Sequence, residues 1–317
     1  MVANSNEDSG STAQTFANGI FGLLTFGLNF LSLVAVLQSR SFPIRQKVIF
    51  ISILVTDTIV GIQVTGVRLL PIHYSPDHIL CKVRLYAGIT IALATSLSNV
   101  LITTERFLSI ILPMRLNKKI TWKVVAVFAI FLWILSITLA LSLFSDGFSG
   151  PVCEFIVTGN PNGYVFIGCV MWVSFLTILI MYVYIVKITR RHIRQITTTM
   201  VGNTPIIDAR KAFQSKAELR MTVTVGIIVG MFGVSYSPVA CYLIYGGLFV
   251  PDLLAFTTSY ETVFKTVITF FTMNSVINPI IYILRLRNCR QEMIARILCR
   301  PQPRFDNMGI SGTSSVG

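Results

Sequence analysis

An aspartate in the middle of an apolar run is the first residue of this chain that needs a chemical reason. Asp57 ends Leu54-Val-Thr-Asp57 and has apolar residues on both sides. At the centre of a membrane helix an ionisable side chain costs about 2.5–3.5 kcal/mol on insertion scales, so something must compensate for it. Other apolar runs offer polar partners: Asn29; Thr95 and Ser96; and Asn274, Ser275 and Asn278. A carboxylate among neutral oxygens can hold a small cation such as sodium. The same groups can instead serve as hydrogen-bonding glue between helices, worth about 0.6–2 kcal/mol per bond.

A second set of residues lies at the ends of the apolar runs or near a proline. Glu105-Arg106-Phe107 closes the third run, and Arg106 can pair with Glu105 beside it or with Glu218 at the start of the sixth. A pair between those two runs holds them together. A coupling of about 1–3 kcal/mol shifts an equilibrium roughly 5–150-fold, enough for a switch. The plainer reading of Arg106 is a cation anchored at a basic membrane face. Asn278-Pro279-Ile-Ile-Tyr282 ends the seventh run. Its proline removes a backbone hydrogen bond and makes a local weak point, with Tyr282 one turn beyond. Phe232-Gly-Val-Ser-Tyr236-Ser-Pro238 sets two aromatics on one face just ahead of a proline. That is either ordinary aromatic packing or a bend that amplifies a small shift towards the helix end.

The elements that must position these residues follow from composition. Of 317 residues, 53% are hydrophobic and only 12% charged, about half the charge of a soluble domain. Lipid accounts for the difference. Seven apolar stretches are long enough to span: Ala17–Gln38, Val48–Ile72, Ile79–Leu112, Trp122–Phe144, Gly163–Ile188, Ala217–Gly247 and Thr257–Leu284. The expected fold is an all-α seven-transmembrane bundle over residues 17–284. It follows a polar outer tail (1–16) and precedes a short amphipathic helix on the inner leaflet (285–300) and a disordered cytoplasmic tail (301–317). Of the 26 Lys and Arg, 22 fall in the segments on one side, while acids such as Asp77, Glu154 and Asp252 fall on the other. That bias sets the amino terminus outside and the carboxyl terminus in the cytoplasm, without a cleavable signal peptide. It also disposes of nucleic acid as the reason for a net charge of +13, because membrane separates the basic loops.

Cys81 opens the third span at the outer face and Cys153 lies in the second outer loop, where an oxidising exterior favours a disulfide between them. Cys169 and Cys241 fall inside spans as small apolar residues. Cys289 and Cys299 flank the basic amphipathic segment and are candidates for palmitoylation. The three histidines, His73, His78 and His192, are split between loops on opposite sides, so no metal cluster or enzyme chemistry is expected.

Together these residues resemble the rhodopsin-like (class A) G protein-coupled receptors, over about Ala17 to Arg300. Asn29, Asp57 and Trp133 look like the family's helix 1 asparagine, helix 2 aspartate and helix 4 tryptophan. Glu105-Arg106-Phe107 resembles the Asp/Glu-Arg-Tyr triplet, and Asn278-Pro279-Ile-Ile-Tyr282 the Asn-Pro-x-x-Tyr motif. Tyr182 is similar in place to the tyrosine that joins Tyr282 in the active state. The resemblance implies a plasma-membrane receptor that binds an extracellular ligand and activates a heterotrimeric G protein by outward movement of helix 6. Arrestin and membrane lipids are further partners, and an allosteric sodium ion is the only cofactor. The chain departs from the pattern at Tyr236, where Trp is usual, at Ser235, where Cys is usual, and at Ser174, where helix 5 carries proline; the span itself holds no proline. Amine receptors have aspartate at the position of Gly88, and opsins have lysine at that of Thr272, so neither ligand is expected. Arg68, Arg84 and Lys265 remain, in the outer parts of spans 2, 3 and 7. They can converge on a carboxylate or phosphate or snorkel to headgroups; Arg84 and Lys265 resemble in placement the basic residues of lysophospholipid receptors, with Leu85 where those carry a polar residue. The competing readings are a decoy receptor that binds without signalling and a seven-span transporter. A transporter should show paired discontinuous halves and several midplane charges.

Overall fold

The computed structural model describes residues 5–38, 44–69, 78–112, 120–145, 160–199, 205–249 and 258–285. It contains α1 (Ser5–Gln38), α2 (Ile44–Leu69), α3 (Ile79–Ile111), α4 (Trp122–Leu143), α5 (Pro161–Thr199), α6 (Pro205–Phe249) and α7 (Thr258–Arg285). Inside lipid every backbone polar group must be paired within protein, and a helix achieves this alone. Among the described residues, six helices carry segments long and apolar enough to cross a membrane. The seventh, α7, has 28 residues, ample for a hydrocarbon core of about 30 Å.

The seven helices fall on the seven expected spans, with longer ends. α1 begins at Ser5 rather than Ala17, and α5 and α6 extend through most of the basic connection between them. A proline-free fifth helix needs correction, because α5 starts at Pro161. At the first helical position proline loses nothing, since that N–H has no intrahelical partner. Asn160 caps the turn by accepting from Asn162 N at 3.0 Å. His78, expected in a loop, caps α3 by accepting from Leu80 N. Residues 286–317, with Cys289 and Cys299, lie outside the described residues, as does Cys153.

On α4 burial is inverted relative to a soluble helix. Only Val125, Ala129, Ser136 and Ala140 are buried, while Val127, Phe128, Ile130, Phe131 and Ile134 point outward. Small residues let helices approach, and large apolar ones meet lipid. The most extensive pairings are α1 with α2 and α5 with α6; α3 packs on α2, α4 and α5, and α7 on α1, α2 and α6. Two apolar clusters result. One joins α3, α5, α6 and α7 around Leu85, Ile89, Met171, Tyr236 and Val267. The other joins α1, α2 and α3 around Ala35, Ile53 and Ile102. Trp133 Nε1 donates to Ser52 Oγ at 2.9 Å, and Ser52 Oγ lies 3.1 Å from Ser98 Oγ, so one short hydrogen-bond chain ties α4, α2 and α3.

Candidate functional site

Asp57, on α2, is completely buried. Its two oxygens are taken by α7: Ser275 Oγ donates to Oδ1 at 2.7 Å, and Asn278 Nδ2 to Oδ2 at 2.9 Å. Pro279 explains how α1 joins them. Proline has no N–H for the carbonyl four residues earlier, so the Ser275 carbonyl loses its helical partner. Asn29 Nδ2 supplies the replacement at 2.8 Å, while also donating to Thr25 O at 2.8 Å within α1. One weak turn of α7 thus receives a side chain from α1 and presents two donors to α2.

Three further buried oxygens, Asn29 Oδ1, Asn274 Oδ1 and Asn278 Oδ1, complete no hydrogen bond. Thr95, on α3, lies near the Tyr236 hydroxyl, and that phenol is within electrostatic reach of Asp57. An unpaired buried oxygen costs roughly 1–3 kcal/mol. Several around one carboxylate make the donor set that a hard cation takes, with oxygen ligands and one negative charge. Asp57, Ser275, Asn278 and Asn29 are joined directly, Asn274 adds an unsatisfied oxygen from α7, and Thr95 of α3 adds a further neutral one.

Near the C-terminal end of α3, Arg106 Nε stands 3.4 Å from Glu105 Oε2, with the two side chains 15% and 4% exposed. Ser109 Oγ steadies the acid by donating to Glu105 O and Oε1 at 2.7 and 3.2 Å. Arg45, at the start of α2, acts on Arg106 electrostatically. Phe107 meets Tyr184 of α5 edge-on, at 6.5 Å between ring centroids. Tyr182 rests on α6 at Gly226. Glu218 lies on α6 and Tyr282 on α7, but their side chains fall outside the described residues, and so the expected Arg106–Glu218 pair does too.

Tyr236 and Phe232 are both buried, with ring centroids 4.2 Å apart, and Phe271 of α7 stacks on Tyr236 at 4.8 Å. Pro238 lies two residues further on, inside α6. Ser174 is buried on α5. Of the three cations expected to meet a ligand, the side chains of Arg68 and Lys265 fall outside the described residues. Arg84 is half-buried on α3, and its carbonyl accepts from Gln63 Nε2 at 3.2 Å. Cys81 is disulfide-bonded, while Cys169 and Cys241 are free thiols facing outward. Ser52, Ser98 and Ser109 were not singled out in the sequence. Their only signal is a serine within or closing an apolar span.

Residues 28–282 match the family model described as 7 transmembrane receptor (rhodopsin family), and the chain belongs to that family. It is 25% identical to the histamine H2 receptor of Canis lupus familiaris over 296 residues, covering 88% of this chain and 77% of that one. It is 24% identical to cannabinoid receptor 1 of Xenopus laevis over 315 residues, 91% of this chain and 64% of that one. A third relative is the glucose-dependent insulinotropic receptor of Rattus norvegicus, 25% identical over 293 residues, 86% and 59% of the two chains. The protein is therefore a multi-pass membrane receptor of the G protein-coupled class, and not an enzyme.

Proposed function

We propose that this receptor sits in the plasma membrane with its amino terminus outside. On binding an extracellular ligand it activates a heterotrimeric G protein through outward movement of α6. The observation that carries the reading is Arg106, largely buried at the inner end of α3 and held by the adjacent Glu105. A charge kept there out of water is costly unless released to a partner, and a cavity opened by α6 offers that release. The Asp57 cluster holds a sodium ion that steadies the resting arrangement of α2, α3 and α7. A Cys81–Cys153 disulfide ties the second outer loop to α3.

Basal nucleotide exchange needs no ligand and tests the coupling. Membranes with Arg106→Ala should give no exchange above empty membranes on a panel of G proteins. Glu218→Ala should raise it at equal surface expression, if α6 is restrained by that acid. Wild type matching empty membranes on every G protein would instead favour a decoy receptor, the reading to which Tyr236 and Ser174 also lend support.

For the ligand, the relatives' names divide between an amine and a cannabinoid, and this chain has Gly88 where amine receptors carry an acid. Arg84 favours an anionic headgroup. Suitable probes are a lysophospholipid phosphate and a long-chain fatty acid, with histamine as the contrast. One of the two anions should raise nucleotide exchange, and Arg84→Glu should weaken its potency about tenfold or more, one ion pair's worth. A response to histamine alone, or one that Arg84→Glu leaves unchanged, overturns the anionic-ligand reading.

A further inference from the structure

α5 and α6 meet along a seam of matched heptads. On α5, stepping by seven gives Pro161, Gly168, Phe175 and Tyr182; on α6, running the other way, it gives Gly247, Ala240, Gly233 and Gly226. Each residue faces its counterpart. A Cβ on Gly247 would meet the Pro161 carbonyl, one on Gly168 the Ala240 carbonyl, one on Gly233 the Phe175 ring, and one on Gly226 the Tyr182 ring and hydroxyl. A repeat of seven held on both helices keeps one face in contact through a left-handed supercoil. Glycine in that face lets the backbones approach closely.

The seam changes character along its length. In its outer half a missing side chain faces a backbone carbonyl, which cannot yield, beside the side chains of Val165 and Ile244. In its inner half glycine receives an aromatic ring, which can leave by rotating about its own bonds. Pro238 lies between Gly233 and Ala240, where the two halves join. Outward movement of α6 is thereby confined to its inner half, and the innermost contact that must break is Tyr182 on Gly226.

We propose that Gly226 is a seat that holds Tyr182 against α6 in the resting receptor, so that occupancy of this seat sets basal activity. This rests on the signalling function proposed above, and the test separates the two. Gly226→Ala puts a methyl where the Tyr182 hydroxyl lies and so disfavours only the seated state. Gly230→Ala, one turn along α6, is the control, because a Cβ there meets nothing within 4 Å. Basal nucleotide exchange is read at matched surface expression, beside fluorine NMR of a label on the Tyr182 ring.

Gly226→Ala should raise basal exchange about fivefold or more, the low end of what overpacking brings, and shift the ring signal, while Gly230→Ala does neither. An unmoved ring overturns the seat. A moved ring with unchanged exchange, in a receptor whose wild type signals, overturns its control of activity. A moved ring in a chain that drives exchange on no G protein overturns the signalling function and leaves the seat as packing. Should Gly226→Ala fail to reach the surface, adding Tyr182→Ala removes the whole ring that the new methyl would meet. Recovered expression then supports the collision, and no recovery counts against it.

Discussion

Replacing Asp57 with asparagine should abolish the receptor's response to sodium. In the wild type, exchanging N-methylglucamine for sodium at constant ionic strength should raise the unfolding temperature in detergent and lower basal nucleotide exchange. A ligand that binds only the folded resting form stabilises it by RT ln(1 + [L]/Kd), about 1.4 kcal/mol at ten times the dissociation constant. Asparagine has nearly the same shape: its oxygen can accept from Asn278 Nδ2 while its N–H donates to Ser275 Oγ, which can accept as well as donate, so the α2–α7 tie can persist while the charge that attracts the cation is lost. The hydrogen-bond-glue reading gives the opposite pattern. There Asp57→Asn changes stability by a bond's worth, about 0.6–2 kcal/mol, and sodium affects neither protein. Thr95→Ala separates the two further. It removes one neutral oxygen and leaves the hydrogen bonds of Asp57 to Ser275 and Asn278 in place, so it should weaken the sodium effect. A sodium response that survives in Asp57→Asn would refute the cation site.

The polar residues of this site could be read without coordinates because lipid makes them expensive. Asp57, Asn29, Asn274 and Asn278 stood out as polar groups in apolar spans, and a group that costs several kcal/mol must have a partner. Which partner was not legible. That Asn29 serves the carbonyl freed by Pro279 depends on how α1 lies across α7, and no pattern within either helix encodes it. The bundle itself was legible, since seven apolar stretches admit little but helices in lipid. The helix ends were not. The fifth span was expected from Gly163, but α5 starts at Pro161, and Ser5–Phe16 read as a polar tail but continue α1. The close contacts between helices were also hidden. Glycine is frequent in membrane helices, and only the fold tells Gly226, which seats a ring, from Gly230, which meets nothing.

The α1–α2 crossing shows the same distinction with a larger consequence for stability. Gly61→Ala should lower the unfolding temperature by about 5 °C or more and reduce surface expression, while Gly27→Ala should leave both near wild type. A Cβ on Gly61 would collide with the backbone nitrogen and Cα of Phe26, and one on Gly22 with the side chain and backbone nitrogen of Thr65. The two contacts lie four residues apart on each helix, so they form one continuous line of backbone approach. Side chains can rotate away from an added methyl, but this backbone is fixed by its own helical hydrogen bonds. α1 must therefore withdraw as a body and lose dispersion contacts along its length. Overpacking costs about 1–3 kcal/mol where neighbours can yield, and here they cannot. Gly27 is exposed and a Cβ there meets nothing within 4 Å, so its alanine variant gains only helix propensity. The damage should also reach the polar site. Gly61 lies one turn from Asp57 on α2, and Phe26 about one turn from Asn29 on α1, so separating the helices pulls Asn29 from the Ser275 carbonyl. In Gly61→Ala protein that still reaches the surface, the sodium-dependent rise in unfolding temperature should shrink with the stability. If the unfolding temperature stays at the wild-type value, the helices are not in backbone contact there. If stability falls but the sodium effect is fully kept, the crossing does not position Asn29.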